Sequence, residues 1–255
     1  PAGTLTSFRR GQTEMVSALC RRYQEQILLN QEVRKVARAG GRFTVTCAGG
    51  AVYGADVQDI DSIVAAGQRC IAAQGLPEVV IANAGISIGM DSRERGDLDV
   101  MRDTFAVNNT GLAATFHPFL SAMCARRSGT LVGIASVAAI RGLPGHGAYC
   151  ASKAGVVAYC ESLRGECRDS GVRVITLVPG YIATPLTAGN RYAMPFLLQA
   201  DAFAERAFRA IERGSSYRVI PWQMAVVAKL MRLLPNAWFD RLFAGRGRKR
   251  RRSET

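Results

Sequence analysis

The chain has 255 residues, of which 48% are hydrophobic and 21% charged, so one α/β domain of this length can bury a sizeable core. The sequence contains no run of about 18 apolar residues and no apolar block near its start, so we expect neither a membrane-spanning helix nor a secretory signal. Its seven cysteines form no C-x-x-C pair and are odd in number, so we expect reduced thiols rather than a disulfide framework, in a protein that is cytoplasmic or peripheral at the membrane.

Short apolar strands alternate with amphipathic helical stretches from residue 78 onward, as in a parallel sheet that is covered on both faces. The pattern predicts strands at 78–83, 129–136 and 172–178, separated by helices at 97–126 and 148–170. The first of these helices carries an inward apolar stripe. The Pro179-Gly180 pair ends the third strand and begins a loop.

The carboxyl-terminal part continues with a predicted helix at 201–213 and a short strand at 217–221, and then becomes basic. The amphipathic stretch 226–243 is interpreted either as a helix packed on the domain or as an attachment to an anionic membrane surface or a lipid-like substrate. Much of the net charge of +13 lies in the tail 246–255, which we predict to be solvated and disordered. No helix-turn-helix pattern or aromatic platform favours nucleic acid as its partner.

Three polar residues lie where a catalytic site is expected. Tyr149 and Lys153 are four residues apart in a helical segment, so both project from one face of the helix. An ammonium beside a phenol favours the phenolate and lowers the tyrosine pKa, although the same spacing also occurs in pairs that are merely exposed. Ser136 ends a predicted strand, and a glycine-rich turn joins it to that helix. Open α/β sheets bind ligands at such strand ends.

Five motifs in this order resemble those of the short-chain dehydrogenase/reductase family. They are Asn83-Ala84-Gly85 after a strand, Asn108 in V-N-N-T-G, Ser136 in I-A-S-V-A, Y-C-A-S-K at 149–153, and P-G-Y-I-A-T-P at 179–185. The resemblance covers residues 56–221. It implies a Rossmann-like, doubly wound parallel sheet in a single α/β domain, 1–245, in which residues 1–50 are atypical.

The resemblance assigns catalytic roles to four residues. Tyr149 would be the general acid in carbonyl reduction and the base in alcohol oxidation, and Ser136 would donate a hydrogen bond to the substrate oxygen. Lys153 would hold the nicotinamide ribose and lower the Tyr149 pKa. Asn108 would anchor a water that connects Lys153 to solvent.

The resemblance also assigns residues to cofactor binding. The turn made by Asn83, Ala84 and Gly85 would pass close to the ribose, and the loop of Pro179 and Gly180 would cover the nicotinamide. Asp56 is interpreted either as the acidic residue beside the adenine or as a turn or cap aspartate. The residues that match the positions bonding the carboxamide are Ile182 and Thr184.

The amino-terminal segment departs from the family, which places a T-G-x-x-x-G-x-G turn against the pyrophosphate. Here Arg10, Glu14 and Val16 stand about where the glycines are expected, and residues 1–8 contain few apolar positions. Loss of a central first strand would leave the strand at 78–83 without a neighbour. Three explanations stay open: a truncated or misread amino end, a decayed site in a pseudoenzyme, or a divergent loop that still binds.

The sequence therefore predicts an oxidoreductase that transfers a hydride between NADP or NAD and the carbonyl or secondary alcohol of a hydrophobic substrate. Arg34, Lys35 and Arg38, near a second strand expected at 27–30, favour NADP. The alternative is a catalytically inactive binding or scaffold protein with a degraded pyrophosphate loop.

Family members pair through the helices at 97–126 and 148–170, which implies a homodimer or homotetramer. His117 and His146 lack ligand spacing to a thiol, so no metal site is expected and both are interpreted as structural.

Overall fold

The structure, a computed structural model, describes residues 4–6, 33–39, 42–47, 52–188, 190, 192–245 and 248–254. These residues contain a five-stranded parallel sheet and a separate three-stranded antiparallel sheet. The antiparallel sheet consists of β2 (Val33–Ala39), β3 (Arg42–Cys47) and β4 (Val52–Ala55). The parallel sheet has the spatial order β1 (Thr4–Thr6), β5 (Val79–Ala82), β6 (Gly129–Ile134), β7 (Val172–Pro179) and β8 (Tyr217–Ile220).

Helices cover both faces of the parallel sheet. They are α1 (Ile60–Gln74), α2 (Asp97–Phe105), α3 (Gly111–Arg126), α4 (Gly147–Glu166), α5 (Pro185–Ala188), α6 (Ala200–Glu212), α7 (Trp222–Leu233) and α8 (Asn236–Phe243). Side chains of α3 and α4, such as Phe116 and Val156, pack on one face of the sheet, and Phe203 of α6 packs on the other. These three layers confirm the predicted doubly wound, Rossmann-like fold.

The strands and helices predicted from residue 78 onward are confirmed. Strand β7 is buried along almost its whole length because helices lie on both of its faces, which explains its uninterrupted apolar sequence. Asp59 caps α1 by accepting a hydrogen bond from the Ser62 backbone N–H at 3.0 Å. No helix among the described residues is both long enough and apolar enough to cross a membrane.

Two predicted helices are each divided in the structure. Residues 226–243 form α7 and α8 rather than one helix, since Pro235 lacks the N–H donor that would continue α7 and Leu234 before it is extended. Residues 97–126 pass through a π-helical turn at Ala106–Thr110, which lies between α2 and α3. The wide turn contains Asn108, and such turns are frequent at functional sites.

The first strand is present, so the strand at 78–83 keeps the neighbour that the loss of this strand would remove. Strand β1 pairs in parallel with β5, with Leu5 opposite Ile81. The hydrogen bonds between paired strands join backbone groups, so the pairing of β1 with β5 does not require an apolar sequence. Threonine is also enriched in strands. The positions of Arg10, Glu14 and Val16 and the strand expected at 27–30 lie outside the described residues.

The antiparallel sheet was not predicted from the sequence. Strands β2 and β3 pair antiparallel, and Ala39 lies opposite Arg42 at the end of the ladder. The sequence between them is Gly40-Gly41, a pair that is typical of two-residue hairpin connections. The basic residues Arg34, Lys35 and Arg38 belong to β2.

Candidate active site

A cavity opens where β5, β6 and β7 end at the same edge of the parallel sheet. Each strand is followed by a predicted site residue, and two more reach the cavity from α4. The predicted site residues that line it are Asn83, Gly85, Ser136, Tyr149, Lys153, Pro179, Gly180, Ile182 and Thr184. The structure thus brings together segments that are almost 100 residues apart in the chain, at the position where open α/β sheets bind ligands.

Tyr149 and Lys153 lie one turn apart on α4 and both face this cavity. The Lys153 Nζ atom is 5.9 Å from the centroid of the Tyr149 ring. The same amine donates a hydrogen bond of 2.8 Å to the carbonyl of Ile134, the last residue of β6. Only 4% of Lys153 is exposed, so α4 and β6 together fix its position.

Burial dominates the electrostatics of this pair. It raises the pKa of Tyr149, and a hydrogen bond with the Ser136 side chain lowers the pKa in part. Burial also lowers the pKa of Lys153 to about 8. The prediction that Lys153 leaves Tyr149 with a lowered pKa is therefore wrong for the protein without a cofactor, because both groups lose water and Lys153 is bonded to a carbonyl instead. Tyr149 holds its proton at neutral pH, which suits it to act as an acid.

Ser136 lies two residues after Ile134, the last residue of β6, where the chain turns. Its backbone is extended, and its Oγ atom accepts a hydrogen bond of 3.2 Å from the Ala138 N–H, so it caps a short 3₁₀ turn at Val137–Ala139. This cap fixes the hydroxyl within the cavity, close enough to Tyr149 to share a hydrogen bond. The side chain is 8% exposed.

Asn108 connects the π turn to the segment that follows β5. Its Oδ1 atom accepts from the Ile86 N–H at 2.8 Å, while its Nδ2 atom donates to the Ile86 carbonyl at 3.1 Å and to Ser152 Oγ at 2.8 Å. This fully buried side chain thereby fixes the backbone beside Gly85 and ties it to α4. The water that Asn108 is expected to anchor stays a prediction.

Gly85 lies between two of the predicted catalytic residues. A Cβ atom built on Gly85 would lie 3.3 Å from Lys153 Nζ and 3.4 Å from Asn108 Oδ1, tighter than ordinary van der Waals contact. The absence of a side chain therefore lets the chain pass close to both polar groups. Ala84, its predicted companion, is buried and is not among the residues that line the cavity.

The loop after β7 is held in shape by a threonine that the sequence did not single out. The Thr187 hydroxyl donates to the Ile182 carbonyl at 2.6 Å and accepts from the Thr184 N–H at 3.1 Å. Gly180 lies against Met224 of α7, where a Cβ atom would approach the Met224 side chain to 2.8 Å. These contacts present Ile182 and Thr184 to the cavity.

Asp56 forms a turn in the structure. Its Oδ1 atom accepts from the Gln58 N–H at 2.9 Å, and its own N–H donates to the Ser62 hydroxyl at 3.1 Å at the start of α1. Of its two interpretations, the structure shows the turn aspartate. Its placement beside an adenine stays a prediction, since this residue is not part of the cavity wall described above.

Two residues that line the cavity, His146 and Arg141, were not predicted to lie there. His146, interpreted as structural, lines the cavity, and its Nε2 atom lies 3.3 Å from the hydroxyl of Tyr192. Arg141 joins the glycine-rich turn to the end of α7: its Nη1 atom donates to the carbonyls of Met231 and Leu234, the latter at 2.6 Å. The guanidinium also lies 3.9 Å above the centre of the Phe239 ring of α8. An unsatisfied helix end is thus capped by a cation.

The described residues of the basic tail, 248–254, lie against the domain, whereas the sequence predicts a solvated, disordered segment. Arg251 Nε donates to Asp97 Oδ2 at 2.7 Å, and the Gly89 N–H donates to the Arg250 carbonyl at 3.0 Å. Acidic groups of α2 and the segment before it pair with the tail, which gives the arginines a local partner in place of solvent. Lys249 of the same segment lines the cavity.

Comparison with known proteins identifies the family. The family described as short chain dehydrogenase matches residues 13–194. An uncharacterized oxidoreductase of Myxococcus xanthus is 39% identical over 185 residues, which cover 72% of this chain and 73% of that protein. The dehydrogenase/reductase SDR family member 7B of Mus musculus is 30% identical over 216 residues, which cover 78% of this chain but only 65% of the mouse protein.

The fold agrees with a solved structure of the same kind. A crystal structure of a short chain dehydrogenase from Burkholderia cenocepacia, in complex with NADP, superposes with a TM-score of 0.72 and covers 95% of this chain and 97% of that one. The identity is 20%, so this likeness concerns the fold alone. The family match covers most of the chain and agrees with this fold. This chain is therefore an oxidoreductase of the short-chain dehydrogenase family.

Proposed function

We propose that the protein transfers a hydride between NADP(H) or NAD(H) and the carbonyl or secondary alcohol of a hydrophobic substrate. The observation that carries this proposal is the convergence of Tyr149, Lys153 and Ser136 on one cavity at the ends of the parallel strands. A phenol, an amine and a hydroxyl held in one cavity are suited to moving a proton at a substrate oxygen.

The cavity has features that fit a nicotinamide nucleoside. Gly85 keeps the floor of the cavity free of a side chain next to the Lys153 amine, which leaves room for a ribose to approach that donor. Thr184 and Ile182 of the ordered loop would face the carboxamide. A bound nicotinamide would supply or accept the hydride. The segment that would meet the pyrophosphate lies outside the described residues.

Tyr149 would donate its proton to the carbonyl oxygen during reduction, while Ser136 donates a hydrogen bond to the same oxygen. Because burial raises the pKa of Tyr149, the phenol stays protonated at neutral pH and the reduction direction is favoured there. Alcohol oxidation needs the phenolate and should become faster as the pH rises. Lys153 positions the reacting groups and replaces the proton that Tyr149 gives up.

The remaining wall of the cavity supports an apolar substrate. Leucine, methionine and aromatic side chains come from the turn before α4, from the loop after β7 and from α6 and α7. They are Leu143, Leu186, Phe203, Met224 and Met231. Apolar walls with a few convergent polar groups are typical of small-molecule sites.

Two observations support NADP over NAD. The Burkholderia protein of the same fold was crystallised with NADP. In the sequence, the basic residues Arg34, Lys35 and Arg38 favour NADP, since a basic side chain is the usual partner of its 2′-phosphate.

The test is nucleotide-dependent turnover. We expect purified protein to oxidise NADPH in the presence of an apolar ketone, with a lower KM for NADPH than for NADH, and we expect Tyr149→Phe to abolish the turnover without weakening nucleotide binding. If neither nucleotide changes the intrinsic fluorescence or protects the protein from unfolding, the proposed function is wrong.

The second candidate function is a non-catalytic binding or scaffold protein. It is favoured by Glu14 and Val16, a carboxylate and a branched side chain at positions where the family has glycines. Turnover that disappears in Tyr149→Phe would contradict it. Absence of turnover together with intact folding would support it.

We further propose that α7 and α8 contact an anionic membrane surface. Their outer faces expose apolar side chains at helical spacing, among them Leu233, which is 79% exposed, and Trp238, which is 72% exposed. The same helices carry Lys229, Arg232 and Arg241, and α7 has no acidic residue. Exposed aromatic and leucine side chains beside cations suit the interface of an anionic bilayer.

Vesicle co-sedimentation tests this surface. We expect the protein to pellet with vesicles that contain phosphatidylserine and to stay in solution with vesicles of phosphatidylcholine alone. The double variant Leu233→Ser and Trp238→Ser should lose the binding, whereas Leu98→Ser, at an exposed leucine of α2, should keep it. Binding that is independent of phosphatidylserine or unaffected by the double variant would refute the proposal.

A further inference from the structure

A single cation from the carboxyl-terminal tail lies in the wall of the substrate cavity. Lys249 lines the cavity together with Leu186, His146 and Tyr192, and it is the tail residue that reaches this far. Its Nζ atom donates a hydrogen bond of 3.2 Å to the Leu186 carbonyl in the loop after β7. The Lys249 ammonium therefore lies at the cavity and not out in the solvent.

The backbone on both sides of Lys249 is fixed. Gly89 donates to the Arg250 carbonyl at 3.0 Å and forms a parallel bridge with Arg251. A Cβ atom on Gly89 would lie only 2.1 Å from the Lys249 carbonyl oxygen, so the tail could not pack this closely against any other residue type. On the other side, the Arg248 side chain lies against Gly145 in the turn before α4. Lys249 thus has a defined place.

The ammonium has no acidic partner in the part of the chain that the structure describes. No carboxylate there lies within 4.0 Å of Lys249, in contrast to Arg248, Arg251 and Arg252 around it, which all pair with acids. Burial, with no opposing charge, lowers the pKa of Lys249 to about 8. Burying a cation without a counter-ion is costly, and an anion supplied by a ligand would remove that cost.

Two uncharged side chains, those of Tyr192 and His146, lie beside Lys249 in the cavity wall. Tyr192 has a hydroxyl 3.3 Å from His146 Nε2, and both side chains face the cavity beside Lys249. Burial, chiefly, lowers the pKa of His146, and the nearby Lys249 charge lowers it further, so the imidazole is neutral at pH 7. The Pro144 carbonyl, 3.2 Å from Nδ1, can only accept, so the neutral imidazole carries its proton on Nδ1 and its Nε2 atom accepts from the Tyr192 hydroxyl. Of these three groups, Lys249 is therefore the one that can donate to an anion.

We infer that Lys249 binds a carboxylate of the substrate, so that the protein acts on apolar carbonyl or alcohol compounds that carry one anionic group. This inference rests on the proposed function, because it concerns the same cavity. The apolar wall accommodates the body of the substrate, Tyr149 and Ser136 meet the reacting oxygen, and Lys249 holds the acid at the far end of the molecule. A charge-assisted hydrogen bond in a partly dry site gives this recognition its strength.

A matched pair of ketones tests the inference: 4-acetylbenzoate and its methyl ester, which have the same ring and the same reacting carbonyl. We expect wild-type protein with NADPH to favour the acid, and Lys249→Met to raise the KM for the acid about 10- to 100-fold, the usual range for losing a hydrogen bond to a charged group. The KM for the ester and for NADPH should not change. Lys249→Arg should keep most of the preference, and Arg250→Met, an exposed cation one residue further along, should leave it intact.

Direct binding separates this inference from the proposed function. Calorimetric titration with 4-acetylbenzoate in the presence of NADP should detect binding to wild-type protein and weaker or no binding to Lys249→Met, whether or not turnover occurs. Loss of nucleotide binding would refute the proposed function, whereas acid binding that depends on Lys249 would still support the inference. Equal binding of acid and ester, acid binding that survives Lys249→Met, or a rise in the KM for NADPH alone would overturn it.

Discussion

Arg251 and Asp97 are 154 positions apart in the sequence, and the Arg251 Nε atom donates to Asp97 Oδ2 at 2.7 Å. The Asp97 carboxylate is almost fully buried and also accepts the Asp91 N–H at 2.7 Å. The Arg251 hydrogen bond lowers the pKa of Asp97, with the Asp91 N–H contributing in the same direction. One carboxylate at the start of α2 therefore holds both the preceding segment and the tail that carries Lys249.

Replacing this arginine should release the tail. We expect Arg251→Gln to free the Gly89 N–H from the Arg250 carbonyl, because the ion pair that keeps the two segments together is gone. Hydrogen exchange at the Gly89 amide should become faster, while amides in β6 and β7 keep their protection. Arg250→Gln is the control, since the Arg250 side chain is exposed and only its carbonyl takes part. Unchanged exchange at Gly89 would contradict the contact.

Tyr149→Phe should reduce kcat about 100- to 10,000-fold, the range for removing a general acid. The phenyl ring still fills the buried position on α4, so the free energy of unfolding should change little. Tyr159→Phe is a matched control, because Tyr159 lies on the same helix and is 36% exposed, outside the cavity. Steady-state kinetics with NADPH and denaturant unfolding of both variants provide the measurement. A kcat retained in Tyr149→Phe would remove this residue from the chemistry.

Gly85→Ala should impair catalysis through crowding. The new methyl group would lie 3.3 Å from Lys153 Nζ and 3.4 Å from Asn108 Oδ1, so these groups must shift by a few tenths of an ångström. Because misplacement by about 1 Å costs about 100-fold, we expect kcat to fall roughly 10-fold. Gly142→Ala adds the same methyl group in the turn before α4, where no atom lies within 4 Å, and should leave kcat unchanged. Equal effects of the two changes would refute the crowding argument.

Lys153 should make stability depend on pH. Its pKa is lowered from 10.5 to about 8 in the folded protein by burial, and the groups that face it are Tyr149 and the Cys160 thiol. Between these two values the unfolded chain holds more protons than the folded one, so the free energy of unfolding rises with pH across this window. The destabilising effect is complete below about pH 8 and is relieved as the pH approaches 10.5.

The measurement compares wild type with Lys153→Met by denaturant unfolding at pH 7.5 and pH 10, without nucleotide. Wild-type stability should gain about 2 kcal/mol more than the variant over this interval. Lys249 has a similarly lowered pKa in a more open position and is present in both proteins, so it cancels in the difference. A pH profile that is the same for both proteins would show that Lys153 is solvated in the folded state.

The sequence predicted the parts of the site that depend on local pattern. Ser136 ends an apolar run and Tyr149 and Lys153 share a helix face, so strand ends and helical spacing were enough to place them together. The direction of the Tyr149 pKa shift could not be found in this way, because it depends on burial, which only the folded chain provides. The hairpin of β2 and β3 was foreseeable from Gly40-Gly41 but was overlooked.

The contribution of the tail was beyond prediction for a different reason. A run of arginines is usually solvated, and nothing local distinguishes Lys249 from its neighbours. Its place in the cavity follows from pairing between residues 248–252 and the acids of α2, a contact that spans more than half of the chain. The contact between His146 and Tyr192 was not predicted for the same reason, since Tyr192 comes from a distant loop.

The span between Arg251 and Asp97 also orders events during synthesis. Strands β5, β6 and β7 and helix α4 emerge from the ribosome well before position 249, and contacts across long loops form late because their closure is entropically expensive. A nascent chain would therefore bring Tyr149, Lys153 and Ser136 together first. Lys249 would join the cavity wall last. We expect the nascent protein not to distinguish substrates by their charge until residues 248–252 dock on α2 and the segment before it.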